Sequence, residues 1–274
     1  MNQVFDGQNI ELKTFFLDTK NNPEEKQVNK KVQQALEEIE QFKPDVLIVS
    51  DDAAVKYVIV PHFKNKPLPV VFCGVNWSAA SYGLPVENIT GMLEVLPLRK
   101  NLQTMQSYYP GAKMLTVLSE NSLSEQKNKE ILDTLYRNLG FTVQYALADN
   151  FSDWKKKFQE ANATADIIYM PTNGAIKNWN AKEAVTFVKE QIRKPVITCD
   201  DFMMPYCVYG LTKVAEEQGK WAGEKALEIM KGKSPGEIPV TANHESVSYI
   251  NSELASKTGF KPRADLVNNS QLVH

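Results

Sequence analysis

Short apolar runs alternate with longer amphipathic stretches along almost the whole chain. A continuous β-branched run such as DVLIVS (45–50) or PVVFCGV (69–75) suits a strand covered on both faces. Apolar residues recurring every three or four positions suit a helix resting on a sheet. On this basis IELKTFFL (10–17) is predicted as a strand, PEEKQVNKKVQQALEEIEQF (23–42) as a helix starting at Pro23, and DVLIVS as the next strand. AAVKYVIVPHF (53–63) then reads as a short helix and PVVFCGV as a strand. A second series repeats the rhythm: strand KMLTVLS (113–119), helix 122–138, strand FTVQYAL (141–147), helix 151–162, strand ADIIYM (165–170), helix 181–193 and strand PVITC (195–199). Gly140 closes the helix before it, Asp153 after Ser152 is a cap for the helix carrying Trp154, and a helix over 216–231 ends at Gly232 and Pro235. PRADLVNNSQLVH (262–274) has no periodicity, and 267–274 is expected to be a loose tail.

Alternating strands and helices imply parallel sheets with helices on both faces, and two such series imply two doubly wound α/β lobes. Open parallel sheets bind ligands outside the carboxyl ends of their strands. Those ends carry Asp51 and Asp52, then Asn76 and Trp77, Glu120 and Asn121, Thr172 with Asn173 and Gly174, and finally Asp200, Asp201 and Phe202. Asp, Asn and Gly also populate turns for local backbone reasons. Trp77 stands apart, because a turn gains nothing from an indole, although packing under a loop also accounts for one.

Composition narrows the function. Of 274 residues 43% are hydrophobic and 23% charged, with a formal net charge of -2 and basic residues scattered among acidic ones, so there is no electrostatic footprint for nucleic acid. No apolar run approaches the roughly 18 residues that cross a bilayer, and the N-terminus lacks the basic start and apolar core of a signal peptide. Phosphate-binding GxxxxGK[ST], dinucleotide-binding GxGxxG and hydrolase GxSxG motifs are all missing. His62, His244 and His274 are far apart without metal-ligand spacing, and no cofactor or metal is expected. The three cysteines, Cys73, Cys199 and Cys207, have no CxxC spacing. One enzyme reading survives: cofactor-independent amino-acid racemases are two-lobed and carry one cysteine per lobe, as Cys73 and Cys199 would be here. Neither has a His or Lys beside it to lower its pKa, so inert core thiols are the alternative.

Several stretches in order resemble the ABC-transporter substrate-binding proteins that include the tryptophan-binding lipoproteins, within the type I periplasmic-binding-protein fold. They are FFLDTKNNPEE (15–25), KPDVLIVSDDAAVKY (43–57), LPVVFCGVNWSAASYGLPVENITGMLEVLP (68–97), DDFMMPYCVYGLTKVAEEQGKWAGEKALEI (200–229) and GKSPGEIPV (232–240). The resemblance implies a three-stranded hinge, with the chain crossing between lobes near Glu94, Asp200 and Ile238. Lobe 1 would be 1–94 with 201–238, YCVYGLTKV (206–214) being a strand of its sheet, and lobe 2 would be 95–200 with 239–266. It further implies a non-enzymatic protein that closes around a small amino-acid-like solute in a cleft between the lobes. Asp51, Asp52, Asn76, Trp77, Asn121, Asn173, Asp201 and Phe202 would hold that solute. The partner would be an ABC permease, or a membrane sensor if the chain is an extracytoplasmic sensing module. The place would be the periplasm or another extracytoplasmic space, the export signal being absent from this chain.

One departure from the family pattern is expected to matter. The first strand of lobe 1 is missing, which would leave 10–17 and 45–50 facing an empty slot about 10 Å wide, two inter-strand spacings. A neighbouring copy could fill that slot and make a homo-oligomer.

Overall fold

The computed structural model describes residues 2–273, in which strands and helices alternate. Helices α1 (Asn2–Phe5) and α2 (Glu25–Phe42) precede strand β1 (Leu47–Ser50). A helix follows β1 at once, as α3 (Asp51–Ala54), one π turn (Val55–Ile59) and α4 (Val60–His62). Strands β2 (Val70–Asn76) and β3 (Ile89–Glu94) and helix α5 (Leu98–Tyr108) come next. Then come β4 (Met114–Glu120), α6 (Leu123–Asn138), β5 (Thr142–Ala148), α7 (Phe151–Thr164), β6 (Ile167–Tyr169), α8 (Ala181–Gln191), β7 (Val196–Thr198) and β8 (Tyr209–Lys213). The chain ends with α9 (Ala215–Met230), β9 (Thr241–Ala242), β10 (Ser246–Asn251), α10 (Ser252–Thr258), α11 (Ala264–Asn268) and β11 (Gln271–Val273).

The chain divides into two units, one made of the residues up to Val95 with Val214–Glu245, the other of Leu96–Lys213 with the residues from Ser246 on. The first unit holds a parallel sheet in the order β1-β2-β3-β9. Its central strand β2 is buried on both faces. Val70 and Phe72 pack with Val28 and Val32 of α2 and with the helix after β1, while Val71 and Cys73 pack with Ala222 and Ile229 of α9. Successive strand side chains point to opposite faces, so a continuous apolar run is what such a strand requires. Gly91 on β3 makes room for the Phe72 ring, since a Cβ there would sit 2.3 Å from it.

The second unit holds a sheet in the order β11-β10-β8-β7-β6-β4-β5. Its strands from β8 to β5 are parallel, β10 runs antiparallel to β8, and β11 is parallel to β10. Trp154 and Phe158 of α7 are fully buried against it and lead an aromatic cluster with Phe151, Trp179 and Phe187.

Several expectations are corrected here. The strand at 206–214 belongs to the second unit, because Tyr209 and Gly210 pair with Ile197 and Thr198 of β7, and the buried Asn101 amide on α5 clamps Leu211 N–H and C=O together with Thr198 C=O at 2.8–3.0 Å. The chain therefore passes between units after Val95, next to the expected Glu94, but then after Lys213 and Glu245 rather than near 200 and 238. Residues 10–17 form no strand. They run along α2, Lys13 pairing with Glu38 and lying over Phe42, and Lys31 lying 5.6 Å from the Phe15 ring. No described strand flanks the outer side of β1, and an alternating segment becomes a strand only where a neighbour supplies hydrogen bonds. The supposed loose tail contains α11 and β11, the latter pairing Gln271–Val273 with Tyr249–Asn251. The cap of α7 is Asn150, whose side chain accepts from Asp153 N–H at 3.0 Å, not Asp153 itself. His274 lies outside the described residues. His62 ends α4, His244 is exposed, and among the described residues no group of His, Cys, Asp and Glu is arranged to hold a metal. No helix among them is long and apolar enough to cross a membrane.

Candidate functional site

In the first unit, the carboxyl ends of β1 and β2 carry Asp51, Asp52, Asn76 and Trp77, and the fold joins them into one cluster. Asp52 is buried and its carboxylate accepts from Asn76 N–H at 3.1 Å, from Asn76 Nδ2 at 2.8 Å and from the Tyr82 hydroxyl at 2.7 Å. These bonds clamp the end of β2 against the start of α3. Asp51 is different. Its Oδ1 accepts from Asp52 N–H at 2.7 Å, and its pKa is raised above the ordinary carboxylate value because burial penalises the charge more than nearby Lys20 favours it.

The backbone here is strained. Asp51 has φ 79° and Trp77 φ 61°, a left-handed conformation that costs non-glycine residues about 1–2 kcal/mol each. Such residues gather where surrounding structure over-determines them, often at binding sites. Gly74, φ 71°, lies against the start of α3: a Cβ there would be 3.2 Å from Asp51 N and 3.3 Å from Ser50 Oγ. The β2–β3 register shifts between Phe72 and Val75, so the irregularity at Gly74 turns the strand end that presents Asn76 and Trp77. The π turn directly after α3 is a second irregularity beside the same cluster. Trp77 is only partly buried, so its indole is not absorbed into the core.

Two neighbours went unrecognised in sequence. Glu94 ends β3; its C=O accepts from Trp77 N–H at 2.9 Å and its Oε2 from Gln218 Nε2 at 3.0 Å. Gln218, buried on α9, also accepts from Gly74 N–H at 2.5 Å. Nothing local marks Gln218, which is 144 residues from Gly74 in sequence.

In the second unit, Asn121, Asn173, Asp201 and Phe202 follow β4, β6 and β7, neighbouring strands of one sheet, and so share its carboxyl edge. Asn121 is exposed and locally engaged, donating to Asp149 at 3.0 Å and accepting from Gln126 at 2.9 Å. Asp201 is exposed and accepts from Phe202 N–H at 2.8 Å, and Phe202 is 54% exposed, large for an aromatic ring with no structural need to face water. Its neighbour Asp200 is instead buried in a 2.9 Å ion pair with Lys213. Glu120, fully buried at the end of β4, accepts from Ala175 N–H at 2.6 Å and thereby holds the loop that carries Asn173. Its position directly before Asn121 was the available signal.

The thiols are unsuited to catalysis. Burial pushes Cys199 up to about 12, with Asp200 adding to the effect, and raises Cys73 and Cys207 as well. A thiol held protonated is a poor nucleophile or base.

A family model described as ABC transporter substrate binding protein matches residues 8–272. Over 200 residues the chain is 26% identical to the Tyrosine-binding protein of Clostridioides difficile (strain R20291), an alignment that takes in 69% of this chain and 56% of that protein. The chain thus spans little more than half the length of that curated relative. A conserved domain protein from Vibrio cholerae superposes with a TM-score of 0.71 at 19% identity, over 89% of this chain and 81% of the other. The ABC domain from Streptococcus pneumoniae in complex with L-Trp gives 0.71 at 16% identity, over 89% and 86%. The ligand-free, open form of a Clostridium difficile substrate-binding protein with adhesive properties gives 0.67 at 16%, over 99% and 91%. At such identities the likeness is one of fold, here that of the type I periplasmic binding proteins.

Proposed function

Because the chain belongs to the family of ABC transporter substrate-binding proteins, which bind solutes and do not transform them, we propose that it is the solute-binding component of an ABC-type importer. It works outside the cytoplasmic membrane with a cognate permease. Its ligand is a small amino-acid-like solute, taken between polar strand ends contributed by both units, which close on it as hinged binding proteins do. The observation that carries this reading is the strained pair Asp51 and Trp77 over the end of β2: a carboxylate and an indole held at a sheet edge at a conformational cost. Asp51 suits an ammonium group and Trp77 and Phe202 suit an apolar side chain, while Asn173 and backbone N–H groups suit a carboxylate. An aromatic amino acid leads, supported by the ligands of two similar proteins, tyrosine for one and L-Trp for another.

The test is calorimetric titration with L-tyrosine, L-tryptophan and the other amino acids, alongside thermal melting. A solute at about 100 times its Kd stabilises the folded form by roughly 2.7 kcal/mol, a shift of a few degrees. Trp77→Ala and Asp201→Ala are expected to weaken binding. Unchanged affinity in both variants would remove the assigned site, and no binding of any amino acid would remove the ligand class.

A further inference from the structure

The chain passes between its units three times, after Val95, Lys213 and Glu245. On the side of the first unit these passages are tied together by side chains with no other evident task. Asn243 Oδ1 accepts from Val95 N–H at 2.7 Å, while Asn243 N–H donates to Leu93 C=O at 3.2 Å, joining the first passage to the third. The Glu217 carboxylate accepts from His244 N–H at 3.1 Å and from Glu245 N–H at 2.9 Å, joining the third passage to the first turn of α9, which is the second. Gln218, the next residue, donates to Glu94 at 3.0 Å and so joins α9 to the first passage.

Gln218 does one thing more. Its Oε1 takes the N–H of Gly74, the irregular point of β2 that leads to Asn76 and Trp77, while Trp77 N–H rests on Glu94 C=O. Gln218 and Asn243 are buried, and Glu217 has only 8% of its side chain exposed, so each unmade bond would carry a full desolvation penalty. Such a network has few alternative arrangements and moves as a unit.

We propose that Gln218 is a positioning residue that couples the solute-bearing end of β2 to all three passages between the units, with Glu217 and Asn243 completing the clamp. A solute settling against Trp77 then bears on Glu94 and Gly74, and through the one amide they share on the segments about which the units turn. The coupling itself is a property of the first unit, and its role in signalling occupancy rests on the solute-binding reading.

The test is backbone hydrogen exchange on the full chain without solute, comparing wild type with Gln218→Met, which preserves side-chain length and helix preference, and with Gln218→Glu, which keeps an acceptor for Gly74 but loses the donor to Glu94. Gly74 N–H exchanges faster in Gln218→Met on any view. The proposal expects exchange at Trp77 and Val95 to rise by tenfold or more in both variants, with His244 and Glu245 following and the amides of β4 unaffected. A rise confined to Gly74, or loss of protection across the whole chain, overturns it. Asn243→Ser supplies an independent break and is expected to loosen Val95 and, through Glu94, Trp77; if Trp77 is untouched the clamp is not continuous. Titration of the same variants with L-tyrosine and L-tryptophan separates the two readings. Wild type binding neither speaks against the aromatic ligand and leaves the exchange result to decide the coupling. Wild-type binding that Gln218→Met weakens about tenfold supports both, and binding that it leaves unchanged overturns the coupling alone.

Discussion

Asp51 and Asp52 are adjacent in sequence and opposite in energetic role, so replacing each by Asn is expected to move stability in opposite directions. Asp52→Asn keeps the shape but turns one acceptor oxygen into a donor. The Asn76 side-chain and backbone N–H groups both point at Asp52 Oδ2, at 2.8 and 3.1 Å, and the Tyr82 hydroxyl at Oδ1, at 2.7 Å. With its NH2 at the Oδ2 position the new amide faces both Asn76 donors, and with its NH2 toward Tyr82 the hydroxyl must turn round to accept; in either orientation the buried bonds lose their charge. Hydrogen bonds to a charged group are worth about 1.5–3 kcal/mol each against about 0.5–1.5 for neutral ones, so neutralising these three costs roughly 3 kcal/mol. For a chain of this size that is a fall in Tm of roughly 10 °C.

Asp51→Asn is expected to be neutral or stabilising at pH 7, because it removes a carboxylate whose pKa burial has raised, and Asn tolerates the left-handed φ of 79°. The sign follows from linkage. A folded-state pKa above the unfolded value means the wild type is relatively favoured at low pH and loses stability as pH rises through the folded pKa. The advantage of Asp51→Asn therefore vanishes below the ordinary value of 3.8. Urea denaturation followed by far-UV circular dichroism from pH 3 to 8 measures both variants. An Asp52→Asn protein within about 1 kcal/mol of wild type would refute the view that this carboxylate clamps β2 to α3.

Further outcomes are expected. Gly74→Ala forces a Cβ into left-handed backbone 3.2 Å from Asp51 N and should cost at least 1–2 kcal/mol in urea denaturation; unchanged stability would mean the β2 irregularity is dispensable. Asp166 accepts from Met114 and Lys113 N–H, both at 2.8 Å, and these bonds lower its pKa. Its contribution is thus present above 3.8 and lost as pH falls through the lowered folded value, so the stability gap between wild type and Asp166→Ala should close in acid. A gap that persists there would assign the effect to packing. Cys73, Cys199 and Cys207, all buried with raised pKa, should resist a thiol reagent at pH 8 until the chain is unfolded in urea. Rapid labelling of any of them in the native protein would contradict their burial.

The alternation of apolar runs with amphipathic helices was sufficient for the α/β class, because a strand buried on both faces and a helix resting on a sheet have different periods. It also located the strand ends, and with them Asp51, Asp52, Asn76 and Trp77, since the residue after a parallel strand is set by where the run stops. What it left open was pairing. TFFL and VYGLTK are equally good strand sequences, yet residues 10–17 join no described sheet and 209–213 sits between β7 and β10. The difference lies in Asn101, Ile197 and Thr198, which meet Tyr209, Gly210 and Leu211 only in three dimensions. The same is true of roles within the site. Adjacent aspartates look alike in sequence, and only the positions of Asn76 and Tyr82 decide that Asp52 is a clamp while Asp51 is not. Gln218 had no local signal at all, because a hydrogen bond across 144 positions is a fact of packing and not of period.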